Sequence, residues 1–431
     1  MNRVLLSILV MTILSGCLSS DSVKPSKKLT KVEDFKPNKK AFELEDMYIM
    51  FALRAEQIKD YVRASEFYSI LYEKSNKKEY LYQYIKSLLI QRKSLSVVKI
   101  IDEYNNKGFD YKLEKMKIIA LVQLNDFEKA EVIALNLVSQ TKKIEDSLLV
   151  ADIYIKEKKF QIASDYLKDK YLENYNEEIL DKLSFVLYQY LNKVKEAISM
   201  LENHSKTHGY SLKISARLID IYTKEQNLDG LLNTYLKVYE INKSDKVATK
   251  ILQIYEYKKD YLNSVDFLEK TSFDNLKLLQ IYLGLKNYNK AYMLEDKLYE
   301  ENGDIKHLAN SAIYQYESLE DKNNKKSLDE IVEKFKKVML EEENSSYLNY
   351  FGYLLIEQNL DVKKGMEYVK KALVIDPDSY YYLDSLAWGY YKLGKCKKAS
   401  KYMDRVVELE GGVNQEVVEH LDAINRCKKI K

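Results

Sequence analysis

The chain has 431 residues, with 69 Lys or Arg against 66 Asp or Glu, which leaves a formal net charge of +3. That near-balance excludes the basic field on which nucleic-acid binding draws. With only 12 Gly and 3 Pro in the whole length, an all-β fold built on many tight turns is excluded as well, and helices are predicted throughout.

The first element is a leader. Arg3 supplies a positive start, and Val4 to Leu14 form an apolar run well short of the roughly 20 residues a spanning helix needs. Ser15 and Gly16 are small, and Cys17 follows at once. Leu14-Ser15-Gly16-Cys17 resembles the lipobox of bacterial lipoproteins. The resemblance implies that residues 1–16 are a signal peptide cut in front of Cys17, that Cys17 carries covalent lipid including palmitate, and that residues 17–40 are a flexible tether. Stable attachment takes more than one acyl chain, which a lipoprotein of this kind carries. Leu18 and Ser19, where a retained lipoprotein has Asp, imply the outer membrane, with the protein facing the periplasm. No other stretch approaches the roughly 18 apolar residues of a spanning segment.

From Ala41 to residue 411 the chain repeats itself. Small or short residues at Ala64, Val98, Ala130, Ala163, Ala197, Leu231, Ser264 and Ala291 are separated by 34, 32, 33, 34, 34, 33 and 27 residues. The pattern resumes at Gly365 and Ala399, again 34 apart. Such small residues suit close helix crossings. Apolar, small and aromatic residues precede them in phase, as in Val150, Ala151 and Tyr154 before Ala163, or Leu218, Ile219 and Tyr222 before Leu231. The spacing and phase resemble the tetratricopeptide repeat (TPR) family. The clearest repeats are 144–177, 178–211, 345–379 and 380–411. The resemblance implies an all-α, right-handed superhelical solenoid of about eleven helix pairs, closed by a capping helix in residues 412–431. The 27-residue step predicts a shortened second helix near Leu268 to Asp274, and Glu320 to Lys326 reads as a polar break in the ninth pair. Pro377 is expected to close one second helix, with Asp378 or Ser379 capping the next first helix.

Little in the sequence supports catalysis. The four histidines are His204, His208, His307 and His420. His204 and His208 are four apart, but "ENHSKTHGYS" reads as a break between repeats, so both are expected to be surface residues. No P-loop, G-x-S-x-G, G-x-G-x-x-G or H-E-x-x-H motif occurs. No catalytic residue, metal or cofactor is predicted beyond the lipid on Cys17.

Cys396 and Cys427 are the two remaining cysteines. Counted from Gly412, one lies 16 residues before and the other 15 after, so an antiparallel helical hairpin brings them level. A disulfide is expected there in an oxidising compartment, two reduced thiols being the alternative. The 38 tyrosines divide into repeat-core positions, such as Tyr154, Tyr188, Tyr222, Tyr255 and Tyr282, and others. In the last two pairs Asn349, Tyr353, Tyr381, Asp384, Trp388 and Tyr391 are expected to face the concave groove and bind protein. The competing arrangement packs Trp388 against the terminal helix.

A narrower likeness covers Ser346 to Glu408. "LNYFGYLL" and "ALVIDPDSYYYLDSLAWGYYKLG", followed by Ala399, resemble the C-terminal repeats of TPR lipoproteins of the proteobacterial outer membrane. One type of that group is an adaptor for a periplasmic carboxyl-terminal processing protease and its cell-wall hydrolase substrates. Ala387 stands where that group usually has glycine. The resemblance implies a membrane-anchored scaffold that recruits such periplasmic proteins. A structural part of a secretion, pilus or flagellar-motor assembly is the alternative, and self-association stays open.

Overall fold

The computed structural model describes residues 40–106, 108–410 and 415–430, and among them are 23 helices and no strand. The expected signal peptide, Cys17 and the tether up to residue 39 lie outside the described residues. The helices form eleven hairpins and one terminal helix, the all-α tetratricopeptide-type array that the period predicts. Among the described residues no helix is long and apolar enough to cross a membrane.

The array divides between Met200 and Leu201 into two compact units. The first contains α1 (Glu45–Gln57) with α2 (Tyr61–Ser75), α3 (Lys78–Ile90) with α4 (Ser94–Asn105), α5 (Tyr111–Gln123) with α6 (Phe127–Thr141), and α7 (Ile144–Lys156) with α8 (Phe160–Asn174). It ends with α9 (Glu177–Gln189) and the start of α10 (Val194–His208). The second unit continues from within α10 to α11 (Leu212–Lys224) with α12 (Leu228–Asn242), α13 (Asp245–Tyr257) with α14 (Tyr261–Thr271), and α15 (Asn275–Gly284) with α16 (Tyr288–Asn302). There follow α17 (Ile305–Ser318) with α18 (Lys325–Glu341), α19 (Ser345–Glu357) with α20 (Val362–Ile375), α21 (Tyr380–Lys392) with α22 (Cys396–Glu410), and the terminal α23 (Gln415–Ile430).

A three-residue code closes several hairpins. In Lys59-Asp60-Tyr61, Asn125-Asp126-Phe127 and Lys259-Asp260-Tyr261 the first residue turns left-handed, with φ of 61°, 60° and 55°. The aspartate then donates its backbone N–H to the first helix and accepts from the second: Asp60 N–H reaches Ala55 O at 2.8 Å, and its carboxylate takes Arg63 N–H at 3.1 Å. The aromatic residue opens the second helix. A left-handed residue with a Cβ costs about 1–2 kcal/mol. Arg92, Lys158, Gln226 and Lys286 are left-handed at the same point, as are Asn192 and Asn359, whose residue type tolerates it, whereas the last hairpin uses Gly394 at φ 66°.

Small residues let the two helices of a pair cross closely. Ala52 and Ala64, and Ala151 and Ala163, are fully buried in this way. The second pair corrects the predicted phase: Val97 is fully buried, and Val98 lies at the edge of the cluster, so the steps from Ala64 to Ala130 are even. Likewise Leu187 is buried where Tyr188 was expected, and Tyr188 is half-buried. Between α19 and α20 two glycines face each other across the crossing. A Cβ on Gly352 would lie 2.7 Å from Gly365 O, and one on Gly365 would lie 2.5 Å from Gly352 O.

The tyrosines also fasten successive helices by donating to carboxylates. Tyr80 donates to Glu45 at 2.6 Å, Tyr82 to Asp110 at 2.8 Å and Tyr154 to Glu131 at 2.7 Å in the first unit. In the second, Tyr222 donates to Glu202 at 2.6 Å, Tyr350 to Glu317 at 2.7 Å, and Tyr282 to Glu269. Burial, with the adjoining carboxylate, pushes these phenols up, to about 12 for Tyr82. At Glu45 burial alone would raise the carboxyl. Lys77 Nζ at 2.5 Å, the Tyr80 hydroxyl and Ala41 N–H outweigh it and hold the group down at about 2.

Two irregularities have local causes. Second helices such as α12 and α16 have 15 residues, but α14 has 11, and first helices such as α13 have 13, but α15 has 10. These omissions account for the 27-residue step. Between α17 and α18 the chain runs outside helix from Leu319 to Asn324. After Pro377, Ser379 is the N-cap of α21 without a side-chain cap bond, while Asp378 pairs with Arg405.

Candidate functional site

The terminal helix α23 does more than cover the end of α22. Val417 and Ile424 enter the core with Leu383, Ala387, Ala399, Met403 and Val406, as an amphipathic cap requires. The flank of α23 that carries Glu416 and His420 lies over first helices. His420 is buried, with Nδ1 2.9 Å from Asp384 Oδ2, and its ring stacks on Trp388 at 4.0 Å between centroids. Trp388 stacks in turn on Tyr391 at 4.6 Å. One pair earlier, the Tyr353 hydroxyl donates to Glu416 at 2.5 Å, across 63 residues of sequence. Burial, and then Glu416, pushes the Tyr353 phenol well above the ordinary range.

The six expected groove residues therefore do not share one open surface. Tyr381 is exposed, and its ring lies 4.0 Å from that of Tyr380. Tyr353, Asp384 and Trp388 meet α23, and Tyr391 lies on the far side of Trp388. Asn349 is half-buried, and its Oδ1 has no hydrogen-bond partner. Trp388 Nε1 also donates to Glu357, and Lys392 Nζ sits 5.1 Å from the Trp388 ring centre. The arrangement at Trp388 is the competing one, packed against the terminal helix. The physical reason is the register of α23, which turns Glu416 and His420 toward α19 and α21.

Cys396 and Cys427 are joined as a disulfide, with Cα atoms 5.7 Å apart, linking the start of α22 to the last turns of α23. Of the two histidines expected at the surface, His208 is exposed, whereas His204 is not. His204 is buried inside α10, which continues to His208, and the two rings stack at 4.7 Å. His307 bonds the buried Glu295 at 2.5 Å. Among the described residues no group of three or more His, Cys, Asp or Glu is placed to hold a metal.

A second surface was not anticipated. Where α14 and α15 fall short, a cleft of about 360 Å³ opens, lined by Glu256, Tyr261, Ser264, Lys277, Gln280 and Leu285, among others. Lys277 and Glu256 pair there at 2.9 Å. Next to these residues in the chain, Tyr257, Leu262 and Leu276 are 79%, 77% and 68% exposed. The 27-residue step was the available signal, since the cleft lies where α14 and α15 are short.

No family model matches the chain. It is 25% identical over 266 residues to a TPR repeat-containing protein of Methanocaldococcus jannaschii, a match covering 59% of this chain and 42% of that protein. The chain thus spans less than half the length of that relative. Among solved structures, a chain of the APC/C hetero-tetramer Cut9–Hcn1 aligns over 89% of this chain and 97% of its own, with 10% identity and a TM-score of 0.38. A chain of Naa15/Naa10 bound to HypK-THB aligns over 87% and 65%, with 11% identity and a TM-score of 0.28. A tetratricopeptide repeat protein from Parabacteroides merdae aligns over 57% and 98%, with 15% identity and a TM-score of 0.25.

Proposed function

We propose that the protein is a non-catalytic scaffold, held by lipid on Cys17 at the outer membrane and facing the periplasm, which grips protein partners along its first-helix face. Stacked helical pairs commonly present such extended binding surfaces. The observation that carries the reading is the exposure of Tyr257 and Leu276 on the first helices α13 and α15, next in sequence to the cleft residues Glu256 and Lys277. A helical array has no need of these side chains for its own core. The likeness of Ser346 to Glu408 to TPR lipoprotein adaptors points to a carboxyl-terminal processing protease or a cell-wall hydrolase as the class of partner.

The test is photo-crosslinking in the native host, with a benzophenone amino acid placed at Tyr257 or Leu276, and at the exposed Lys99 as control. Discrete adducts at the two cleft positions, absent at Lys99 and identified as a protease or hydrolase, support the adaptor. Adducts to components of a secretion, pilus or motor assembly replace it with the structural role. Absence of adducts at the cleft overturns the site. Palmitate labelling that survives Cys17→Ser would overturn the anchor.

A further inference from the structure

We infer that the first-helix face of α19 and α21 is a helix-binding surface occupied in cis by α23, and that the Cys396–Cys427 disulfide decides whether α23 can be exchanged for a partner helix. The inference rests on the scaffold reading in one respect, that first-helix faces bind partners. It concerns a different stretch of that face from the cleft.

The observations are of three kinds. The contacts made by α23 are those of a ligand as well as of a cap: a hydroxyl-to-carboxylate bond at Tyr353–Glu416, a buried imidazole on Asp384, and that imidazole stacked on the face of Trp388. Val417, Leu421 and Ile424 cover the apolar end from the adjoining stripe of the same helix, so the contacts of Glu416 and His420 extend that face onto α19 and α21. Second, the receiving Trp388 is held by contacts that do not involve α23. Trp388 is fixed by Glu357 at its indole N–H and by Tyr391 on its other face. Preorganised aromatic anchors of this kind dominate binding energy at interfaces. Third, the only covalent link between α23 and the body of the unit, apart from the chain itself, is the disulfide near its C-terminal end. While that bond stands, α23 is tied at both ends and competes with any partner at very high effective concentration.

The surface fits an amphipathic helix that presents a carboxylate and, one turn later, an imidazole or a similar flat donor, with apolar residues on the adjacent flank. Glu416, His420, Val417 and Ile424 are the template. Release requires a dithiol reductant. One of its thiolates attacks a sulfur of the pair and forms a mixed disulfide, and its second thiol then displaces that sulfur. The Cys396–Cys427 bond breaks, both sulfurs end as thiols after taking up two electrons and two protons, and the reductant leaves as a cyclic disulfide.

The probe is a fluorescein-labelled peptide of residues 415–430 that itself carries Cys427→Ser and so has no thiol, added to the full chain in oxidised form, reduced with dithiothreitol, or carrying Cys427→Ser. The expected result is binding at least tenfold tighter to the reduced and Cys427→Ser proteins than to the oxidised one, weakened when the peptide carries His420→Ala. Emission of Trp388, the chain's one tryptophan, shifts on reduction as the imidazole leaves its face. Hydrogen exchange separates release from unfolding: α23 amides exchange at least tenfold faster on reduction while α19 to α22 stay protected. Equal peptide binding in both redox states, unchanged Trp388 emission, or loss of protection in α19 to α22 together with α23 each overturns the inference. Crosslinking at Tyr257 and Leu276 is read separately, so failure of the latch and failure of the scaffold are told apart.

Discussion

The same substitution, glycine to alanine, has opposite consequences at two places in the second unit. Intrinsically the change favours a helix by up to about 1 kcal/mol. At Gly352 that gain meets a backbone. The new Cβ would stand 2.7 Å from Gly365 O, 2.7 Å from Val369 Cγ2 and 3.1 Å from Val369 N. Neither the carbonyl nor the amide is the loose end of a side chain, so α19 and α20 must part by roughly half an ångström or more. Overpacking of this kind costs about 1–3 kcal/mol, and the net expectation for Gly352→Ala is a loss of about 1–2 kcal/mol. Gly284 closes α15 beside the cleft, and a Cβ there meets nothing within 4 Å. Only the propensity term remains, reduced at a helix end, so Gly284→Ala gains about 0.5 kcal/mol. Urea unfolding followed through Trp388 reads the α19–α22 region directly, and circular dichroism at 222 nm reads the whole chain. A repeat array need not unfold in one step, so the two signals are fitted separately. Gly352→Ala at or above wild-type stability by the Trp388 signal would refute the close-crossing argument. A destabilised Gly284→Ala would refute the open-space one.

Lys158 is exposed and left-handed at φ 65°, so Lys158→Gly relieves strain that outweighs the entropy of a freer unfolded chain, and the melting curve moves up by about 0.5–1 kcal/mol. Glu45 is held near 2 against an ordinary 4.5, so its contribution is full above pH 4.5 and is lost as pH falls from there toward 2. Hydrogen exchange in α1 to α3 should accelerate over that window in wild type, and Glu45→Gln should flatten the dependence. The phenols shift the other way: Tyr82, raised to about 12, stabilises fully below pH 10 and loses its contribution between pH 10 and 12. Tyr82→Phe should show a weaker alkaline loss in a pH-jump melt. Cys396→Ser removes a link across 31 residues, for which chain entropy predicts a loss of about 3–4 kcal/mol in the docking of α23, measured by hydrogen exchange of its amides at fixed redox state.

The sequence already contained most of the array, because a hairpin is specified locally. Lys-Asp-Tyr and Asn-Asp-Phe mark the turns, and alanines spaced by 33 or 34 residues mark the crossings. Where two adjacent residues were chemically alike, as at Val97 and Val98, the spacing left the phase ambiguous, and only packing against α5 and α3 settled it. His204 was misplaced for a related reason: a run of polar residues looks like a break, although its flank toward the core is buried. The C-terminal face was legible in its residues and hidden in its state. Asp384, Trp388 and Tyr353 could be listed from their phase, but the contacts that α23 makes with them span 36 and 63 residues, and no local pattern encodes that register.

That difference in reach bears on the order in which the chain is assembled. The tyrosine rungs from Tyr80, Tyr82, Tyr154, Tyr222, Tyr282 and Tyr350 each close over 13 to 35 residues. A pair emerging from synthesis therefore needs only its immediate neighbours to complete its bonds, and contacts of short separation form quickly. The Tyr353–Glu416 bond must wait for the last stretch of chain, and so must the union of Cys396 with Cys427. The face of α19 and α21 is thus the last of the second unit to be covered as the chain grows. A newborn chain passes through an interval in which its C-terminal face is open to whatever is present.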